Sequence, residues 1–185
     1  MNKRLFVVDD FYTNPDEVRQ FALTQVEYEG SSPFYKGKRS TSQYIVDGLQ
    51  QSFEHIMNMK LKPLSTHGMC GRFQILTAED PIVYHSDSQK WAGVIYLTPN
   101  APHDSGTLLL KSRTTNARNP NDIGYSESFQ NGFYDKTQFD IVDCIGNVYN
   151  RLVIFDAQMI HAATNYFGNR DDNSRLTHLF FFDNE

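Results

Sequence analysis

The sequence predicts an α+β fold with a mainly β core. Apolar residues recur at helical spacing only in the first third of the chain, and from residue 70 onward they fall in short strand-like runs separated by turn clusters. Size is the third observation. With 185 residues, 39 % hydrophobic and 14 % aromatic, the chain can build one substantial core but not two, so residues 1–185 are read as a single domain. A charged fraction of 21 % with that apolar content excludes intrinsic disorder.

Residues 4–9, Arg-Leu-Phe-Val-Val-Asp, read as a strand. A helix follows: Asn14 is the expected N-cap, Pro15 suits the first turn, Glu17 stands at the capping-box position, and Val18, Phe21, Ala22 and Val26 share one stripe. A loop rich in Gly, Ser and Lys covers 29–43, and a second amphipathic helix is expected over about 43–58, carried by Ile45, Leu49, Phe53 and Ile56. Residues 1–69 are thus a strand with helical support. Beyond them, strands are expected at 70–77, 83–87, 93–97, 107–111, 152–155 and 176–182, with turn clusters at 98–102 and 168–173. Helices first and short strands afterwards imply an antiparallel barrel or sandwich at the C-terminal end. Residues 112–137 form a long polar insert, a length that marks a functional or disordered loop.

A net charge of −5 argues against nucleic-acid binding by the whole surface. Cys70 and Cys144 form neither a CxxC nor a zinc pattern, which suits a reducing compartment. The N-terminus has too few apolar residues for a signal-peptide core, and no run approaches the ~20 residues of a membrane span. A cytoplasmic protein with no membrane partner is expected.

The chemistry concentrates in four places. In the strand-like stretch Tyr84-His85-Ser86-Asp87, His85 and Asp87 fall on one side by period-two alternation, giving two corners of a metal site. A 2-His-1-carboxylate centre needs one more histidine and leaves positions open for substrates. His161, shortly after the buried-looking run 152–155, is placed to supply it. On the final strand Arg175 and Thr177 share a face with Leu179 and Phe181. A cation on such a face needs an anionic partner, which a dicarboxylic cosubstrate would provide, with the Tyr96 phenol in reach of the same group.

His85-x-Asp87, Ile95-Tyr96-Leu97, Gly106-Thr107-Leu108, Arg151-Leu152-Val153-Ile154-Phe155 with His161, and Arg175-x-Thr177 occur in an order that resembles the Fe(II)/2-oxoglutarate-dependent dioxygenases of the prolyl-hydroxylase-like branch. The resemblance covers about residues 70–183, and the N-terminal Val-Val-Asp-Asp-Phe-Tyr-Thr-Asn-Pro is similar to small bacterial and phage members. It implies a double-stranded β-helix (a cupin-like jelly roll) supported by the N-terminal helices. It also implies Fe(II) held by His85, Asp87 and His161, and 2-oxoglutarate held through its distal carboxylate by Arg175 with Thr177 and Tyr96. The implied reaction consumes O2 and 2-oxoglutarate, releases succinate and CO2, and hydroxylates a small molecule or a peptide or protein side chain. Asp87 points to a hydroxylase or demethylase, since family halogenases carry a small residue at that position. Arg170 competes with Arg175 as the anchor, although its neighbours Asp171 and Asp172 suggest a surface turn.

His103 lies in a turn, His178 alternates out of phase with Arg175, and His55 and His67 fall on a helix and in a turn; all four read as structural or solvated. Lys111, Arg113 and Arg118 at the insert either form an electropositive rim or are merely solvated, and Tyr125, Phe129, Phe133 and Tyr134 either meet substrate or fold back on the barrel. Phe180-Phe181-Phe182 reads as core. Two other functions stay open: a non-catalytic metal-binding cupin-like module, and an oxidative demethylase of nucleobases.

Overall fold

The computed structural model describes residues 3–32 and 35–185; Met1 and Asn2, and residues 33 and 34 of the expected 29–43 loop, lie outside the described residues. The strands are β1 (Leu5–Val8), β2 (Tyr28–Glu29), β3 (Lys38–Ser40), β4 (Arg72–Leu76), β5 (Trp91–Tyr96), β6 (Thr107–Ser112), β7 (Phe139–Ile145), β8 (Leu152–Asp156), β9 (His161–Ala163) and β10 (Arg175–Phe182). The helices are α1 (Pro15–Thr24) and α2 (Leu49–Met57). One sheet runs β1-β8-β5-β10-β4-β3-β2 and the other β7-β6-β9, with antiparallel pairing throughout. The architecture is a mainly β pair of antiparallel sheets with two helices.

Alternation along the central strands sorts their side chains into two layers. Trp91, Ile95, Leu152, Ile154, Leu176, Phe180 and Phe182 join Ala22, Leu49, Phe53 and Met57 in a core beneath the helices. Ala92, Val94, Tyr96, Val153, Phe155 and Leu179 point the other way, toward the smaller sheet. Phe53 of α2 packs at ring-centroid distances of 5.1 Å from Phe180 and 5.5 Å from Phe182, which fastens the helix to the back of β10. Every residue of β5 is buried, the pattern of a strand covered on both faces.

The second helix is shorter than its periodicity suggests. Gly48 sits at φ 82° just before it, and the Gln43 amide donates to the carbonyls of His67 and Cys70, so residues 43–47 are held as an extended connection. Asn14 makes no side-chain cap; its amide instead meets Glu17 at 3.4 Å. The expected strand at 83–87 is a single bridge, His85 to His161. β2, β3, β7 and β9 lie outside the expected strands. The first two are short edge strands, β7 is an edge strand whose Ile141 is 62 % exposed, and β9 has three residues. Residues 1–69 therefore supply three strands of the large sheet as well as helices.

Candidate active site

The backbone brings two distant segments together. His85 N–H donates to the His161 carbonyl at 3.1 Å, His161 N–H donates back at 2.8 Å, and Asp87 N–H donates to Ala157 at 2.8 Å. The segment carrying His85 and Asp87 is thus laced to β9 and the turn before it. Each imidazole directs Nδ1 at the carbonyl two residues earlier, His85 to Val83 at 3.1 Å and His161 to Met159 at 2.8 Å. These bonds orient the rings and favour the tautomer whose Nε2 carries a free lone pair. The His161 ring is braced edge-on by Phe155, with centroids 4.9 Å apart.

The liberated atoms converge. His85 Nε2 stands 3.7 Å from Asp87 Oδ1 and His161 Nε2 stands 3.5 Å from Asp87 Oδ2, and one ligand atom from each residue falls within 4.8 Å of the others. The gaps are too wide for good hydrogen bonds, and the buried Asp87 Oδ2 has no hydrogen-bond partner. Two imidazoles and a carboxylate facing a common point fit a divalent transition metal with open positions. Burial, aided by His161 and Arg39, pushes the His85 imidazole down to about 4; the part of its side chain that is accessible faces the cavity. Burial raises the Asp87 carboxyl, but His161, His85 and Arg39 outweigh it and hold the group below its ordinary range. Both shifts favour the ligating protonation states.

The three residues and Arg175 line one cavity of about 290 Å³. Arg175, 5 % exposed, donates from Nε to the Ser105 carbonyl at 3.0 Å and from Nη2 to the Gly106 carbonyl at 3.4 Å, and its guanidinium lies 5.4 Å from the Tyr96 ring and 5.8 Å from that of Tyr166. No carboxylate pairs with it among the described residues. Arg170 is in an exposed turn, paired with Asp172 at 3.0 Å, and is absent from the cavity wall. Tyr96 and Thr177 sit behind that wall: the Tyr96 phenol is 2.7 Å from Thr107 Oγ1, and Thr177 Oγ1 is 3.5 Å from the Gln74 carbonyl. Thr107 lines the cavity where the sequence suggested Tyr96.

The insert divides its aromatics. Tyr125 and Phe129 pack back on the cluster of Tyr84, Leu110 and Phe139, while Phe133 and Tyr134 line the cavity mouth. Lys111 bonds Asn116 and Arg113 pairs with Asp140; neither residue nor Arg118 lines the cavity. His178 lies on the helix side of β10, stacked on Phe73 at 4.0 Å. Arg39, Gln74 and Tyr166 line the cavity and carried no sequence signal: Arg39 stands in a polar stretch whose strand is three residues long.

Among solved structures the chain is similar to HygX from Streptomyces hygroscopicus with nickel, 2-oxoglutarate and hygromycin B bound (TM-score 0.59, 12 % identity, 96 % of this chain and 82 % of that one). It is also similar to a Trichoplax adhaerens prolyl hydroxylase in complex with a hypoxia inducible factor peptide fragment (TM-score 0.56, 13 % identity, 97 % and 83 %) and to a Pseudomonas putida prolyl-4-hydroxylase (TM-score 0.52, 16 % identity, 98 % and 92 %). The fold is the one shared by HygX and these prolyl hydroxylases. The chain belongs to DUF6445, described as a family of unknown function, whose model matches residues 1–182. No curated protein matches the sequence.

Proposed function

We propose that this chain is an Fe(II)/2-oxoglutarate-dependent hydroxylase, a single oxygenase domain whose two sheets form a double-stranded β-helix. The observation that carries the reading is the convergence of His85 Nε2, His161 Nε2 and the unpartnered Asp87 Oδ2 in the same cavity as the buried, carboxylate-free Arg175. His85, Asp87 and His161 would hold the iron. When bound, it supplies activation of O2 coupled to oxidation of the cosubstrate: 2-oxoglutarate, O2 and R–H give succinate, CO2 and R–OH.

The chain's own residues do the positioning. Arg175, clamped from behind by the Ser105 and Gly106 carbonyls, turns its remaining donors toward the distal carboxylate of 2-oxoglutarate, with Thr107 beside it. Tyr96 and Thr177 are positioning residues, Tyr96 by fixing Thr107 and Thr177 by holding its place behind Arg175. The Val83 and Met159 carbonyls keep the imidazole Nδ1 protons in place, so that neither ring can turn its lone pair away. Phe133 and Tyr134 narrow the mouth and exclude water.

The primary substrate is a small molecule or a peptide or protein side chain; the similar structures include one with hygromycin B and one with a peptide. The buried Arg175 favours the oxygenase over a metal-binding module, which has no need of an internal cation, and Lys111 and Arg113, bonded to Asn116 and Asp140, stand away from the cavity that a nucleobase would have to enter. Two unpaired cysteines and the lack, among the described residues, of a helix able to cross a membrane accord with a cytoplasmic location. Calorimetric binding of 2-oxoglutarate to anaerobic protein with and without Fe(II) tests the proposal. Metal-dependent binding, weakened at least roughly tenfold in Arg175→Ala, is expected. Absence of binding in both conditions would replace the enzyme with the metal-binding module.

A further inference from the structure

A second arginine in the cavity has no part in the reaction described above. Arg39, on β3, is 8 % exposed and lines the same cavity as His85, Asp87 and Arg175. Its Nε is buried without a hydrogen-bond partner, and among the described residues its guanidinium forms no ion pair; it lies 4.4 Å from the Tyr35 ring. Burial pulls its pKa down to about 10, which leaves it charged at neutral pH.

Strand register fixes where that charge points. Arg39 is opposite Gln74, Gln74 opposite Thr177, and Thr177 opposite Tyr96, so the four side chains form one row on the inner face of the large sheet. Glu29 on β2 is opposite Arg39 and continues the row outward, its carboxylate turned to Arg72 at 3.5 Å, while Tyr96 is at the inner end, beside Arg175. The two cations therefore approach the metal-ligating residues from different sides. Arg39 is also close enough to Asp87 for each charge to act on the other.

A buried guanidinium with no ion-pair partner among the described residues is costly, and removing it from the sheet would be the simpler solution if it had only a packing role. Lys36, whose carbonyl accepts from the Gln74 amide, lines the cavity beside Arg39 and adds a second positive charge, while Tyr35 offers aromatic surface next to it. The cavity is about 290 Å³ in all, so once 2-oxoglutarate occupies the Arg175 end the rest suits a group of amino-acid size.

We infer that the primary substrate presents a carboxylate to Arg39, which holds it bidentately and so sets which carbon is offered to the metal centre. The inference rests on the oxygenase reading and names the substrate class of that site. A carboxylate from a free acid or from an aspartate or glutamate side chain of a peptide has the same chemistry for Arg39.

The test uses the full chain loaded with Ni(II) and 2-oxoglutarate. Probes are the free L-amino acids against their primary amides, and short peptides with an internal Glu or Asp against the same peptides with Gln or Asn. Binding is read by saturation-transfer NMR, and succinate release is followed separately with Fe(II). At least one acid is expected to bind roughly tenfold or more tightly than its amide. That preference is expected to collapse in Arg39→Gln and to survive in part in Arg39→Lys, which also shows that the fold tolerates change there. Preference confined to peptides assigns the carboxylate to a side chain; preference among free acids assigns it to a small molecule.

Equal binding of acids and amides, or no binding by any acid, overturns the inference. So does a larger loss of 2-oxoglutarate affinity in Arg39→Gln than in Arg175→Gln, which would make Arg39 the cosubstrate anchor. Calorimetry of 2-oxoglutarate on the wild-type protein keeps the two readings apart. Binding of 2-oxoglutarate without acid preference defeats the inference alone, and failure to bind it defeats the oxygenase reading beneath.

Discussion

His85 and His161 use the same local device, a ring Nδ1 bonded to the carbonyl two residues back, although one lies beside a single bridge and the other opens a strand. The device needs only extended backbone, which is why spacing placed His85 and Asp87 on one side; with the family resemblance, those two and His161 were legible as candidate ligands. Arg39 was not, because a lone arginine among Lys36 and Lys38 reads as a solvated charge until β3 is known to pair with β4. Asp87 supplies the only negative charge of the triad, so Asp87→Asn should lower Co(II) affinity by more than the roughly 10–100-fold that loss of an outer-shell partner costs. Competitive titration of the metal against a chelator checks this. A variant that binds Co(II) as tightly as the parent would remove Asp87 from the ligand set.

At the scale of elements, β10 shows how far alternation can be trusted. Arg175, Thr177 and Leu179 face the cavity layer while Leu176, His178 and Phe180 face the helices, as period two requires. Alternation failed at β7, where Asp140 and Asp143 interrupt the apolar residues of an edge strand and a register shift falls opposite Leu109 and Leu110. It also failed at 83–87, which has the composition of a strand but only one bridging partner. Two substitutions probe elements rather than single contacts. Phe53→Ala empties the contact between α2 and β10 and should cost about 3–5 kcal/mol in urea unfolding. Gly106→Ala would drive a Cβ into the Ile145 carbonyl at the start of β6 and displace the loop that clasps Arg175. Reduced stability of about 1–3 kcal/mol should therefore be accompanied by weaker 2-oxoglutarate binding, whereas Phe53→Ala spares binding in the folded fraction.

The large sheet separates the molecule into a side that stabilises and a side that acts, and each carries a buried histidine. His178 belongs to the first. It is 2 % exposed, lies between Phe73 and Phe180, accepts or donates one hydrogen bond with the Tyr12 hydroxyl at 2.8 Å, and has no carboxylate beside it. Burial pushes its imidazole down to about 4, only partly opposed by the Gly71 and Tyr44 backbones, while in the unfolded chain it titrates near 6.5. Between those values the unfolded chain binds a proton that the folded one refuses. Stability is thus full above the unfolded value and falls as the pH drops from there toward 4. The loss from this residue alone is on the order of 3 kcal/mol. His85 has a shift of the same sign in the metal-free protein, so the two histidines act over one window. Asp9, Asp135 and Asp172 are held below their usual 3.8, so whatever stability they add is full above that value and is lost only at lower pH. Urea midpoints measured from pH 7.5 to 4.5 should fall for the parent, and His178→Phe, which keeps the aromatic stack, should flatten the dependence by the equivalent of one proton. An unchanged slope in His178→Phe would mean that the acid sensitivity originates on the cavity side of the sheet, and loading the site with metal should then be what abolishes it.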